Sequence, residues 1–300
     1  MYKVAIVSIT LNAAYWPYLG PMVESAKKFL LKGHQVDFYS WSDIDFNNQF
    51  SQKIVNSWAE RGVDVNRPDI RKLLTENIQS TLALKDTITI IPQEPAEWPL
   101  PTLCRFHLFL KEEKRLADYD FVFYVDTDML FVSPVGDEIL GDLVVAQHPM
   151  HALKRGLINP SEPNPESQSF IPKLGRIITK NGKKMFEPIY PAGGFQGGRS
   201  DKFIEAMKVM KEMIDKDFSN NYVSIWNDQS IWEAYLFKLT PTGILPDWVT
   251  ILSPSYVYPD SLIRSYYIPV WGKNYLPKII TLTKPFTTSK EAGIQLQTKI

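Results

Sequence analysis

The chain has 300 residues, and its 33 Lys+Arg balance 33 Asp+Glu, giving a formal net charge of zero. A broad nucleic-acid surface needs a basic excess to displace counterions, so that class is set aside. At 44% hydrophobic and 22% charged, the chain is also not an acidic disordered polymer.

Aromatic residues reach 13%, which suits either a large aromatic core or a pocket that stacks flat ligand faces. Length allows one large domain or two intimate subdomains. The single cysteine, Cys104, forbids an intrachain disulfide, and no Asn-x-Ser/Thr sequon is present, since Asn159 precedes Pro160. Both facts favour a reducing interior. The apolar run near Met1 is far shorter than the roughly 20 residues of a membrane span and has no signal-cleavage pattern. The chain therefore reads as soluble and cytoplasmic, with no integral membrane segment.

Val4–Ile9 has the β-branched character of a buried strand. Met22, Val23, Ala26, Phe29 and Leu30 then recur at helical spacing, with Gly33 as a C′ stop, and Val36–Tyr39 reads as the next strand. Strand–helix–strand predicts a right-handed βαβ opening. Its first loop lacks Gly-x-Gly-x-x-Gly, so a dinucleotide fingerprint is absent. Residues 43–100 are mixed, with a strand at Ile88–Ile91. Thr102–Leu116 reads as one helix through Leu103, Phe106 and Leu110, and Phe121–Val125 as a strand. Residues 150–190, rich in Pro, Asn, Ser, Gly and Lys, read as a long surface excursion. An amphipathic helix capped by Ser200 carries Phe203, Met207, Met210 and Ile214 on one stripe, as core filler. Trp226–Ile231 opens another helix, and a mobile tail follows Pro285.

Four places could carry chemistry. Asp126-Thr-Asp128 sits at the end of a hydrophobic strand. Two carboxylates there must be solvated, paired or on a metal, and oxygen ligands suit Mg²⁺ or Mn²⁺. An aspartyl-phosphate phosphatase also uses Asp-x-Asp, but close to the N-terminus and with Thr or Val where this chain has Leu130. Ala192-Gly-Gly-Phe-Gln-Gly-Gly198 has four glycines in six residues, as a tight turn or as backbone that approaches a ligand closely. In Trp226-Asn-Asp-Gln-Ser230, Asn227 or Asp228 serves as an N-cap or lines a site, with Trp226 as a wall for a ring. Gln229 hydrogen-bonds but is a poor nucleophile. His148 is either structural or a site residue. Lys284 and Lys290 either meet a phosphate or are solvated.

Taken in order, Gly33–Tyr39, Arg105–Phe109, Tyr124–Met129, His148-Pro149, Tyr190–Gly198, Trp226–Ser230 and Leu252–Tyr256 resemble glycosyltransferase family 6, which includes the histo-blood-group A and B transferases and α1,3-galactosyltransferases. The resemblance implies an α/β glycosyltransferase-A sandwich with a mixed central sheet and a Rossmann-like N-terminal half, formed as one catalytic domain over 1–300. About 1–130 would be the UDP-donor half, about 131–277 the acceptor half and about 278–300 a mobile lid. The implied reaction moves N-acetylgalactosamine or galactose from UDP-GalNAc or UDP-Gal in α1,3 linkage, with retention, to an oligosaccharide or galactoside acceptor.

Asp126 and Asp128 match the family's Mn²⁺ (or Mg²⁺) pair. Ser8, Asn12, Tyr15, Thr102, Arg105, Asp126, Gly193, Gly194, Asp228, Lys284 and Lys290 would bind the donor. His148, Trp226 and Gln229 would bind the acceptor, with Gln229 and Asp228 at the reacting carbon. Ala192-Gly193-Gly194 resembles the pattern of N-acetylgalactosamine-transferring members. The family's Trp-His-Asp-Glu-Ser is Trp226-Asn-Asp-Gln-Ser230 here, so an amide replaces the carboxylate proposed as nucleophile. The alternative implied by that departure is a weak or inactive sugar- or nucleotide-binding relative. The family's Thr-Tyr-Glu-Arg-Arg run is not recognisable in 155–170, where only Ser167–Pro172 matches.

Overall fold

A computed structural model describes residues 1–96, 99–149, 162–171, 176–180, 183–187, 190–239, 245–263 and 276–286. The strand–helix–strand opening forms as expected. β1 (Lys3–Thr10) and β2 (Gln35–Ser42) are parallel neighbours, joined by α1 (Trp16–Phe29). Gly33 keeps a left-handed backbone (φ 95°), but α1 has already ended at Phe29. Residues 43–100 resolve into α2 (Phe50–Glu60), α3 (Pro68–Leu82) and β3 (Thr89–Pro92).

The helix expected over 102–116 is three short ones: α4 (Leu100–Leu103), α5 (Arg105–Leu110) and α6 (Glu113–Leu116). A continuous helix offers the Thr102 carbonyl to the amide four residues on. Here that carbonyl accepts Arg105 Nε at 2.9 Å, and Cys104 takes a non-helical ψ of 13° between α4 and α5. The break swings the Arg105 side chain back toward the sheet.

β4 (Phe121–Val125), β5 (Met129–Phe131) and β6 (Leu143–Gln147) follow, then a hairpin of β7 (Arg176–Lys180) and β8 (Lys183–Glu187). The glycine-rich segment is not a turn. It is the nine-residue strand β9 (Pro191–Arg199), which leads into α7 (Ser200–Ser219) and then α8 (Asp228–Lys238). Ser200 is the first helical residue rather than a cap, and its hydroxyl donates to the Leu116 carbonyl at 2.5 Å. β10 (Val249–Leu252), β11 (Tyr258–Pro259), α9 (Asp260–Ile263) and β12 (Ile279–Thr281) complete the described chain.

The central sheet has seven strands in the order β10-β6-β9-β4-β1-β2-β3. β1, β2, β3 and β4 run parallel, as do β6 and β10, while β9 is antiparallel to both its neighbours. Alternate residues of each strand face opposite layers. Ala5, Val7 and Ile9 of β1 join Phe106, Phe109, Phe203, Met207, Met210 and Trp232 on one side. Val4 and Ile6 join Leu19, Met22, Val23 and Ala26 of α1 on the other. A third cluster fastens α2 and α3 to α1 through Trp16, Phe50, Trp58, Ile70 and Leu74. The methionine stripe of α7 is therefore core, as expected.

The glycines of β9 allow close strand contact. At Gly197, a Cβ would lie 2.6 Å from Phe123 Cδ1. Within the span expected as a lid, β12 pairs with β5 and β11. The rest of the tail, Lys290 included, lies outside the described residues.

Candidate functional site

The parallel strands β1, β2, β3 and β4 end at one edge of the sheet, which is where open α/β sheets gather ligand-binding groups. At the end of β4, the Asp126 amide donates to the Gly194 carbonyl of β9 at 3.0 Å. The Tyr124 hydroxyl donates to Asp126 Oδ1. Tyr124 thus belongs to the site as well as to the strand, although its sequence context of aromatic and β-branched neighbours reads only as core.

Arg105 is 2% exposed, and its guanidinium lies 4.1 Å from the centre of the Tyr124 ring. Its Nη1 donates to the Gly193 carbonyl at 2.7 Å and stands 3.3 Å from Asp228 Oδ2. Its Nη2 is 4.0 Å from Asp126 Oδ1. Burial works against the guanidinium charge, and Asp228, Tyr124 and Asp126 more than offset it. One cation between two carboxylates leaves excess negative charge. Burial pushes Asp228 up to about 6 against the pull of Arg105, with Asp126 adding to the rise. Burial likewise raises Asp126, opposed by Arg105 and reinforced by Asp128.

Gly193 is required where it stands, because a Cβ there would sit 2.6 Å from Asp228 Oδ2. At Gly194 a Cβ would lie 3.1 Å from both Asp126 Oδ2 and Met129 Sδ.

Asp128 is buried, and Lys284 donates to its Oδ2. Burial opposes the Lys284 charge, but Asp128 raises its affinity for the proton overall. β12 seats this lysine, since the Leu282 amide donates to the Asp128 carbonyl at 2.8 Å. Lys284 also lies 5.6 Å from the centre of the Tyr15 ring, against which Phe286 packs edge-on. Asn12 (φ 76°) orders the loop before α1: its amide donates to Asp43, and its Oδ1 accepts from Ala14 N and Ser57 Oγ. Ser8 follows Val7, which pairs with Tyr124, so it lies level with the end of β4, but its side chain is buried and donates to the Tyr39 carbonyl at 3.2 Å. Thr102 enters through its carbonyl, which holds Arg105.

Among the described residues, no three or more His, Cys, Asp or Glu side chains converge as a metal site. Asp126 and Asp128 offer hard oxygen ligands, and Asp128 holds one cation, the Lys284 ammonium. That donor set fits a Mg²⁺- or Mn²⁺-type ion whose other ligands come from water and phosphate.

The remaining residues meet at the start of α8. Asn227 occupies the cap position with φ 51° and ψ −127°, makes no capping bond and leaves its Oδ1 without a partner. This strained elbow sends Asp228 toward Gly193 and Arg105. Trp226 is 41% exposed beside it. Tyr190 links the others: its hydroxyl donates to Gln229 Oε1 at 3.1 Å, its carbonyl accepts the His148 amide at 2.7 Å, and its ring centre lies 4.9 Å from that of His148. One turn beyond Gln229, Glu233 is 0% exposed, and neither carboxyl oxygen has a hydrogen-bond partner. Burial pushes Glu233 up to about 9. No local pattern marks Tyr190 or Glu233 as special, because both lie in otherwise apolar or glycine-rich surroundings.

The sequence profile of Glycosyltransferase family 6 matches residues 105–270. The chain is 23% identical to human globoside alpha-1,3-N-acetylgalactosaminyltransferase 1 over 85% of its own length and 60% of that protein. It is 24% identical to rat histo-blood group ABO system transferase 1, over 83% of the chain and 59% of that protein. It is 25% identical to the Escherichia coli O-antigen biosynthesis glycosyltransferase WbnI, over 66% and 73%. The chain thus spans about 60% of the length of these mammalian relatives. The matched span covers more than half of the residues and holds Arg105, the end of β4, the glycine strand and the α8 elbow, and on that match the chain belongs to glycosyltransferase family 6.

Proposed function

We propose that the chain is a retaining, metal-dependent hexosyltransferase of the glycosyltransferase-A type. In this reading it moves N-acetylgalactosamine, or galactose, from a UDP-sugar in α1,3 linkage to a galactoside-type glycan. The observation that carries the reading is the buried Arg105 held between the Gly193 carbonyl, Asp228 and Asp126 at the carboxyl edge of the parallel strands. Such a cluster offers a sugar's hydroxyls fixed acceptors and a donor without competition from water. Asp126 and Asp128 would hold Mn²⁺ or Mg²⁺, which when bound neutralises charge on the leaving diphosphate. Tyr15 would orient the uracil, with Lys284 meeting the diphosphate and Lys290 joining it from the tail. His148, Trp226 and Gln229 would take the acceptor.

The family resemblance favours N-acetylgalactosamine, because a bulkier residue in place of Gly194 would crowd the N-acetyl group. The single cysteine fits a cytoplasmic setting. Among the described residues, no helix is long and apolar enough to cross a membrane.

UDP release measured with each donor, with and without Mn²⁺, tests the reading. Release from UDP-GalNAc that needs the metal supports it, metal-independent release removes the role given to Asp126 and Asp128, and preference for UDP-Gal overturns the donor assignment. A second reading, a weak or inactive sugar-binding relative, is favoured by the amide at Gln229, whose Oε1 is already taken up by the Tyr190 hydroxyl. Gln229→Glu separates the two: a gain of several orders of magnitude in rate marks a disabled site. An unchanged rate supports a role in which the Gln229 carbonyl only stabilises positive charge at the anomeric carbon.

A further inference from the structure

Two buried carboxylates outside the cluster hold one segment of chain against another. Glu162 accepts the Tyr222 hydroxyl and the Asn164 amide (3.0 Å) at Oε1, and the Ile225 amide (2.8 Å) at Oε2. Asp217, in the last turn of α7, accepts Ser167 Oγ at 2.7 Å and the Gln168 amide at 2.7 Å. Ser224 Oγ lies 2.7 Å from Ser169 Oγ, which lies 2.8 Å from Ser167 Oγ. A run of hydroxyls donating from Ser224 to Ser169 to Ser167 to Asp217 satisfies every member of the chain. Residues 162–171 are thereby fastened to 222–225.

Burying a carboxylate is costly, and each of these is compensated by several donors. Both are buried, and Asp217 faces the negative end of its own helix. What they hold is the segment that runs directly into Trp226 and the strained Asn227. Strained backbone persists only where its surroundings over-determine it. The Ile225 amide on Glu162, two residues before Asn227, is such a restraint.

We propose that Glu162 and Asp217 are positioning residues, a clamp that fixes the Trp226–Asn227 elbow and with it the acceptor side of the site. The inference rests on the glycosyltransferase reading and adds a division of labour to it. The donor side stands on Arg105, the end of β4 and β9, supported by the sheet, and Asp228 just beyond the elbow is held there by its own ion pair with Arg105 at 3.3 Å. The acceptor side stands on the clamped loop. Loosening the clamp is therefore expected to separate the two.

The test uses the full chain with Glu162→Gln and Asp217→Asn, measuring UDP release to water and transfer to a galactoside acceptor side by side. Displacing an orienting group by about 1 Å costs on the order of 100-fold. The acceptor KM is expected to rise at least about tenfold, while donor KM and release to water stay within about twofold. Equal loss of both activities makes the carboxylates merely structural and overturns the proposal, as does an unchanged acceptor KM. Should either variant fail to fold, Ser169→Ala cuts the link to Ser224 and keeps both carboxylates. The same split, in smaller degree, is expected of it, and no split overturns the clamp. Absence of UDP release from the unaltered chain overturns the glycosyltransferase reading and the clamp with it. Normal activity in the unaltered chain without a split in the variants overturns the clamp alone.

Discussion

Glu233→Gln is the perturbation whose sign follows most directly from the structure. The Glu233 carboxyl is fully buried without a partner, and burial lifts it from 4.5 to about 9. The folded protein therefore keeps this proton between those values while the unfolded chain gives it up. A raised folded-state value means that the contribution to stability is fully present below pH 4.5 and is lost as pH climbs toward 9. Each pH unit in that window removes about 1.4 kcal/mol, so from pH 5 to pH 8 the loss is about 4 kcal/mol. Glutamine has the same shape and no charge to lose, so its stability should not carry this slope. The assay is urea unfolding, followed by tryptophan fluorescence, for both proteins at pH 5, 6.5 and 8. Slopes from all other groups are common to the two and cancel in the difference. Near-equal stability is expected at pH 5, with the variant more stable by about 3–4 kcal/mol at pH 8. Curves that stay parallel across the range, within about 0.5 kcal/mol, would refute a neutral buried acid at this position.

Four further outcomes follow from the site. Gly193→Ala places a Cβ 2.6 Å from Asp228 Oδ2, so Asp228 must leave Arg105; transfer should drop about 100-fold, read as kcat/KM, with the circular-dichroism spectrum unchanged. Asp228 is held near 6, so kcat/KM should rise with pH through an acidic limb centred near pH 6 that Asp228→Asn lacks. Lys284→Met removes the cation on Asp128, so Mn²⁺ affinity measured by calorimetry should tighten several-fold while UDP affinity weakens. Gly197→Ala forces a Cβ against Phe123 between two sheet strands and should cost about 1–3 kcal/mol in urea unfolding.

Spacing made α1 and the α7 stripe legible, because each helix buries one face against the sheet, and β1 and β4 were legible as continuous apolar runs buried on both faces. α2 and α3 fell within a stretch read only as mixed, although Pro68 at the helix start and Ile70, Leu74 and Ile78 at four-residue steps mark α3. The single helix over 102–116 failed because its apolar spacing is right, but the Arg105 side chain competes for the Thr102 carbonyl. The β9 glycines read equally as turn or ligand approach. Their strand role depends on how closely β4 and β6 approach, which no local pattern records. Asp126 and Asp128 could be named because two carboxylates at the end of an apolar strand demand partners, Asp228 from its place at a helix start, and Arg105 only through the family resemblance. Tyr124 read as core because its strand is aromatic or β-branched throughout, and Tyr190, Glu162 and Asp217 meet partners 39, 63 and 50 residues away, which no local pattern records.

The charge arithmetic of the site bears on the order in which ligands would enter under the proposed function. Asp126, Asp128 and Asp228 face two cations, Arg105 and Lys284, so the group carries one excess negative charge when all are ionised. A diphosphate approaching this site alone meets net repulsion. A divalent cation held by Asp126 and Asp128 would reverse the sign to one positive charge and would attract the diphosphate. Such an ion on Asp128 would compete with Lys284, which would then be available to the phosphate oxygens. A chain with no net charge can in this way bind an anionic donor through a sign change confined to one cluster, and metal binding should precede UDP binding, visible as UDP affinity that rises steeply with Mn²⁺ concentration and little with falling salt.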